Sequence, residues 1–293
     1  MRRQLASGES IAVNRHEGSK LTVLGIAVGT VARAERFESL GLLGTSLSSQ
    51  AAEIRRVVSC ILELSCVNLA TRKDIIILSR TLLANRLNER RYSKYHNLNL
   101  AETQEYMASL LGSNIISEFM NKKATNILEN ICYYCRGRAL YIMKEGHFGL
   151  APRNIQPGDV VAVLLGSGLP AALRPTGHGT RQVLGQTYLD GFTEGESILG
   201  PLPDDVRVVM NYNGATQYWA YLNDKTGVLD IEDPRLGPLP SPWTRKKHSK
   251  DIYWTWYINT ETGEERGENA GDPRLGRDEL LKRLVPLREF VLV

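Results

Sequence analysis

Arg138-Ala-Leu-Tyr-Ile-Met-Lys-Glu-Gly146, Gly149-Leu-Ala-Pro152, Pro157-Gly-Asp159, Val160-Val-Ala-Val-Leu-Leu165, Leu173-Arg-Pro175 and Val183-Leu-Gly-Gln-Thr-Tyr-Leu-Asp-Gly191 together decide the fold of this chain. Pro157 fixes φ, and Gly158-Asp159 supplies the positive φ and side-chain hydrogen bonds of a reversing chain, so a turn is expected at 156–159. Val160 to Leu165 is an apolar run too short for an independent helix and rich in branched side chains, which predicts a strand buried on both faces. Segments 138–143, 171–174 and 182–189 recur at similar spacing between glycines and prolines, the pattern of a small antiparallel sheet or barrel.

Working outward from there, Leu21 to Val31 alternates branched residues with glycine and reads as one or two strands. Helical periodicity follows at 48–67, 72–87, 101–109 with 115–119, and 121–135. In the first of these, Ile54, Val57, Val58, Ile61, Leu62 and Leu64 make an apolar face, with Ser48 or Ser49 as cap. Such faces need a partner. The expected fold class is α+β: a helical layer packed on a small antiparallel β barrel or sheet across residues 20–200, after a flexible segment at 1–19.

The same residues carry a resemblance. The order Arg138, Gly149-Leu-Ala-Pro152, Gly158-Asp159-Val-Val-Ala-Val, Gly166, Pro170, Leu173-Arg174, Gly185-Gln-Thr-Tyr188, Gly191 and Gly195-Glu196 resembles the carboxy-terminal part of fungal heterokaryon-incompatibility proteins. Leu78-Ser-Arg-Thr-Leu-Leu83 in the helical region also suits that family. The resemblance implies a role in fungal self/non-self recognition and programmed cell death, and it carries over no catalytic residue. The family's effector domain has a Ser-Tyr-x-Trp-Gly type motif, which does not occur in this sequence, whose tryptophans are Trp219, Trp243, Trp254 and Trp256. The expectation is a member lacking its effector, or a gene-model fragment without independent function.

A repeat occupies the carboxy-terminal third. Leu202-Pro-Asp-Asp-Val206, Tyr218-Trp-Ala-Tyr-Leu-Asn-Asp-Lys-Thr-Gly227 and Asp233-Pro-Arg-Leu-Gly237 are matched by Leu239-Pro-Ser-Pro-Trp243, Tyr253-Trp-Thr-Trp-Tyr-Ile-Asn-Thr-Glu-Thr-Gly263 and Asp272-Pro-Arg-Leu-Gly276. Duplication explains this order. The units, at 201–238 and 239–276, each resemble a WW domain, and 277–293 is expected to be a tail. That resemblance implies two small antiparallel β units, with Trp243, Tyr253, Trp254, Trp256 and Tyr257 as candidate binders of a proline-rich peptide, helped by Lys246, Lys247 and Lys250. A second stacking ring is missing, because Ile231 and Ala270 stand at its place, and Val206 replaces the framing tryptophan of the first unit. Two readings stay open: the aromatic rings hold small sheets together, or they form a recognition surface for a peptide or another protein.

Composition excludes several classes. Hydrophobic residues are 42% and charged residues 23%, ordinary for a globular protein. The net charge is +4, with 13 basic against 15 acidic residues from 201 onward, so no concentrated basic field marks a nucleic-acid binder. No window reaches the roughly 18 apolar residues of a spanning helix, and no secretory signal opens the chain, so a cytoplasmic protein is expected. Cys132-Tyr-Tyr-Cys135 has redox spacing but ends a helix, where the dipole does not favour a thiolate, and with Cys60 and Cys66 it is expected to be structural. No metal or cofactor motif is present, and no enzyme is expected. The alternative is an enzyme whose site forms in the loops of the β module from His147, His178 and Glu194. The acidic cluster Asp190, Glu194 and Glu196 is expected to be a turn with solvated carboxylates.

Overall fold

The computed structural model describes residues 6–8, 10–12, 14–40, 45–63, 72–85, 100–112, 122–213, 216–247, 255–267 and 271–293. It has mixed α and β content: one large sheet and two small antiparallel sheets of three strands each. The large sheet begins with β1 (Asn14–Glu17) and β2 (Lys20–Arg36). The elements of the expected β module follow as β3 (Arg138–Met143), β4 (Phe148–Pro152), β5 (Val160–Leu164), β6 (Ala171–Pro175), β7 (Thr180–Gln186) and β8 (Tyr188–Leu189). The turn at 156–159 forms as expected, with the Asp159 carboxylate accepting the Gln156 N–H at 2.8 Å and Gly158 at φ +92°.

Two strands were not anticipated, and the first, β1, lies within residues 1–19, read as a flexible segment. Residues 277–293, read as a tail, contain helix α6 (Arg277–Lys282) and strand β15 (Arg288–Leu292), and β15 pairs antiparallel with β2 and parallel with β7. Gly25 of β2 is paired with Leu164 on one side and Arg288 on the other, so β5 and β15 flank β2 on opposite edges. The pairing β2, β5, β6, β7, β15 and back to β2 therefore closes on itself. Closure disposes of the open edges that a sheet otherwise exposes. A Cβ on Gly25 would lie 2.6 Å from the Val163 carbonyl oxygen, which is why glycine stands at this crossing.

Strand alternation sorts the apolar side chains into layers. Phe290 and Leu292 share one cluster with Ala162, Ala171 and Leu173, with Leu21 and Val23 against it. Leu24 and Ile26, on the other face of β2, join Leu165, Ile198, Leu275, Leu280 and Val285. On β3, Ala139, Tyr141 and Met143 pack with Val161 and Ala172, whereas Leu140 and Ile142 face the helices. Strands β3, β4 and β5 are thus buried on both sides, as their apolar runs require.

The helical layer is α1 (Leu47–Leu62), α2 (Arg72–Leu82), α3 (Leu100–Gly112) and α4 (Lys122–Cys135). Ala51, Ile54, Val57, Val58, Ile61 and Leu62 form the buried face of α1, matching the periodicity. Its cap is Ser46, whose Oγ accepts the Ser49 N–H at 3.1 Å, rather than Ser48 or Ser49. Leu64 and residues 115–119 lie outside the described residues. Among the described residues, no helix is long and apolar enough to cross a membrane.

Gly149 offers a direct test of this packing. It faces Tyr141 across the β3–β4 pair, and a Cβ there would sit 2.2 Å from the Tyr141 ring. That ring is fully buried and its hydroxyl lies 3.0 Å from Thr187 Oγ1, so it has nowhere to go. Gly149→Ala is expected to destabilise the protein by about 1–3 kcal/mol through overpacking. Urea unfolding should show a lower midpoint at unchanged slope.

Candidate functional site

The repeated tail folds as two meanders. The first comprises β9 (Val206–Asn213), β10 (Thr216–Asn223) and β11 (Leu229–Asp230), and the second β12 (Trp243–Lys247), β13 (Thr255–Asn259) and β14 (Glu265–Arg266). In the second, register places Trp243 opposite Asn259, Arg245 opposite Tyr257 and Lys246 opposite Trp256. Directly paired residues share a face and neighbours along a strand alternate. Trp243 and Tyr257 therefore lie on one face and Trp256 on the other. The five candidate aromatics do not form one surface as a set, and Tyr253 and Trp254 lie outside the described residues.

The face carrying Trp243 and Tyr257 is occupied by the protein itself. Arg266 stacks over the Trp243 ring at 4.4 Å and bonds Glu264 at 2.7 Å. Tyr257 is 5% exposed, and its hydroxyl donates to Asp272 Oδ2 at 2.8 Å. Burial, then the Asp272 carboxylate, pushes the phenol above its ordinary range. Trp256, on the opposite face, remains 38% exposed. Its indole lies across Gly267, where a Cβ would be 3.5 Å away.

What binds the tail to the body is the Asp-Pro-Arg-Leu-Gly motif, whose repetition was legible and whose role was not. In both copies the arginine forks onto the aspartate two residues before it: Nε to Oδ1 at 2.9 Å and Nη2 to Oδ2 at 2.6 Å, for Arg235 with Asp233 and Arg274 with Asp272. A tyrosine of the central strand completes each fork, Tyr221 on Asp233 at 3.0 Å and Tyr257 on Asp272. The remaining donors reach backward along the chain. Arg235 donates to the carbonyls of Gly200 at 2.7 Å and Glu194 at 2.6 Å, beside the short helix α5 (Glu196–Leu199) of the body. Arg274 donates to the Gly237 carbonyl at 3.0 Å and to Glu232, which also holds Arg245. The signal for this was present in the identical Leu-Gly-Pro-Leu-Pro runs at 199–203 and 236–240, whose glycine carbonyls are the equivalent acceptors. Leu199, Leu236 and Leu275, each preceding such a glycine, meet in one apolar cluster.

Two carboxylates of the body, Asp159 and Asp190, are likewise paired internally. Arg174 forks onto Asp159 at 2.9 Å through both Nε and Nη2, and Nη2 also donates to the Asn154 carbonyl. Asp190 accepts from Arg80 at 2.7 Å and from the Tyr188 hydroxyl at 2.8 Å. Asp190 is 9% exposed, so it is not the solvated turn carboxylate expected from its glycine neighbours; its partner comes from α2, remote in sequence. Glu196 accepts the Glu194 N–H at 2.6 Å. His147 packs edge-on against Phe192 at 4.9 Å, and His178 sits exposed at φ 63° between two glycines. Two grooves, of about 280 and 360 Å³, flank the tail units; neither is lined by His147, His178 or Glu194. Cys132 and Cys135 are buried free thiols at the end of α4; burial pushes Cys132 up to about 11 and Cys135 well above its ordinary value. Cys60 is a half-buried free thiol, and Cys66 lies outside the described residues.

Residues 76–201 match the family described as the Het-6 beta-barrel domain. Over this segment, less than half of the chain, the protein is similar to that domain. The match contains β3 to β8, while β2 and β15, which complete the ring of strand pairings, lie outside it. The chain is 35% identical over 66 residues to heterokaryon incompatibility protein 6, OR allele, of Neurospora crassa, a stretch covering 22% of this chain and 10% of that protein. It is also 26% identical over 130 residues to a phosphoserine aminotransferase of Corynebacterium glutamicum, covering 42% of this chain and 32% of the enzyme. The matched stretches thus span about a tenth and a third of these relatives' lengths. No solved structure matches.

Proposed function

We propose that this protein is a non-catalytic interaction or regulatory module of the heterokaryon-incompatibility type, acting in self/non-self recognition in the cytoplasm. One observation carries the reading: the charged residues of the family-like motifs are spent on closed internal pairs, Asp159 with Arg174 and Asp190 with Arg80 and Tyr188. Groups held this way shape a docking body. The contact surface is the face of the second tail unit that carries Trp256, which is 38% exposed and lies opposite the face of Trp243 and Tyr257. With the WW-like pattern of that unit, an extended proline-rich segment of another protein is the partner class, stacking on one ring rather than between two.

Titration of the whole protein with proline-rich peptides, followed by tryptophan emission, tests this. Saturable change is expected for the natural sequence and its loss in Trp256→Ala, with the melting temperature retained. Flat traces throughout, or an unaltered curve in Trp256→Ala, would remove the second unit as the contact surface.

A further inference from the structure

We infer that the two tail units and β15 form a strap in series, so that undocking of the second unit withdraws β15 and opens the ring of strands between β2 and β7. This inference does not depend on peptide binding. Its starting point is connectivity: β15 is the one ring strand whose chain arrives through both tail units. Arg235 clamps the first unit to the body at Gly200 and Glu194, and Arg274 clamps the second to the first at Gly237 and Glu232. From the second clamp to β15 the chain has little slack. Leu275, Leu280 and Val285 are all buried in the cluster that contains Leu24 and Ile26 of β2. Between α6 and β15, Leu284 is 88% exposed and held at φ 60°, a conformation that a leucine adopts only under external constraint.

The load at the far end is Phe290, fully buried against Ala162, Ala171 and Leu173, with only two register pairs, Val291 with Thr180 and Leu292 with Arg181, joining β15 to β7. An element this short, held on one side by few bonds and anchored through a neighbouring unit, shares the opening equilibrium of that unit. Coupling of this kind needs a two-state element biased from both ends, and the strap supplies it. Anything that lifts the second unit therefore exposes Leu21, Val23 and Leu173, which Phe290 and Leu292 cover.

Native-state amide exchange on the whole protein tests the coupling. In Arg274→Ala, the amides of 288–292 are expected to exchange at least tenfold faster together with those of the second unit, while α1, β5 and β6 keep their protection. A variant with a flexible insert of roughly ten glycines and serines after Leu284 uncouples the strap. In that background, Arg274→Ala should no longer alter β15. Unchanged β15 exchange in Arg274→Ala, general loss of protection including α1, or an equal response with the insert present would each overturn the inference.

Discussion

Phe290→Ala is expected to lower stability by about 3–5 kcal/mol, a large fraction of the roughly 5–15 kcal/mol available to a folded domain. The side chain is fully buried against Ala162, Ala171, Leu173 and Leu292, and β2 and β6 approach it from both sides. Truncation leaves a cavity whose walls are strand backbones in a closed pairing cycle, so they cannot collapse inward without breaking register. Deleting residues 288–293 removes the whole closing strand and is expected to lower the midpoint further than Phe290→Ala does. Far-UV circular dichroism during urea unfolding reads both effects. Val293→Ala is the control: Val293 is 51% exposed, and the midpoint should hardly move. A deletion variant with native midpoint and slope would show that the ring stands without its last strand.

That result would matter because β15 is the element the sequence concealed. The strands of the 138–191 stretch are bounded by glycine and proline, so their ends can be read directly, and α1 shows its buried face in its periodicity. Arg288-Glu-Phe-Val-Leu292 is five residues long, and its partners Leu21 to Gly25 lie at the opposite end of the chain. Pairing at such a distance leaves no local pattern, since the energy comes from a ring cavity that exists only when the other strands are in place. Two of the five ring strands thus fall outside the segment matched by the family, although the ring needs them.

The candidate site was legible in a similar, partial way. Aromatic spacing found the second tail unit, but composition cannot say that Trp256 and Tyr257, adjacent in sequence, leave the strand on opposite faces. Parity fixes that, and parity needs the register with β12. The forks of Asp233 with Arg235 and of Asp272 with Arg274 were visible only as a repeat, because the Gly200 and Gly237 carbonyls they reach are backbone atoms without side-chain identity.

Arg274→Ala is the second large effect, expected at about 3–5 kcal/mol, since it leaves the Asp272 carboxylate buried without its counter-ion. Both side chains are nearly inaccessible, 3% and 1% exposed, so solvent cannot take over the lost bonds. Burial alone would raise the Asp272 pKa, but the Arg274 fork, the Arg274 backbone N–H and the Tyr257 hydroxyl hold it below the ordinary carboxylate value. Glu232 is likewise held low against its burial, by Arg245 and Arg274. A depressed native pKa contributes stability that is complete above the unfolded value of about 4 and is lost as pH falls through the lower native value. Melting followed by tryptophan emission should therefore be flat from neutrality to about pH 5 and fall steeply below about pH 4. Asp272→Asn should start lower at neutral pH and show a shallower acid limb, with Glu232, Glu53 and Asp205, all held low, supplying the slope that remains. Replacing Asp272 and Arg274 together by leucine and methionine should recover much of the loss in Arg274→Ala, because no charge is then left unpaired. The same pair of changes at Asp233 and Arg235 should behave alike, with one difference set by position: the first fork holds the tail to the body through Gly200 and Glu194, so its loss releases both units at once.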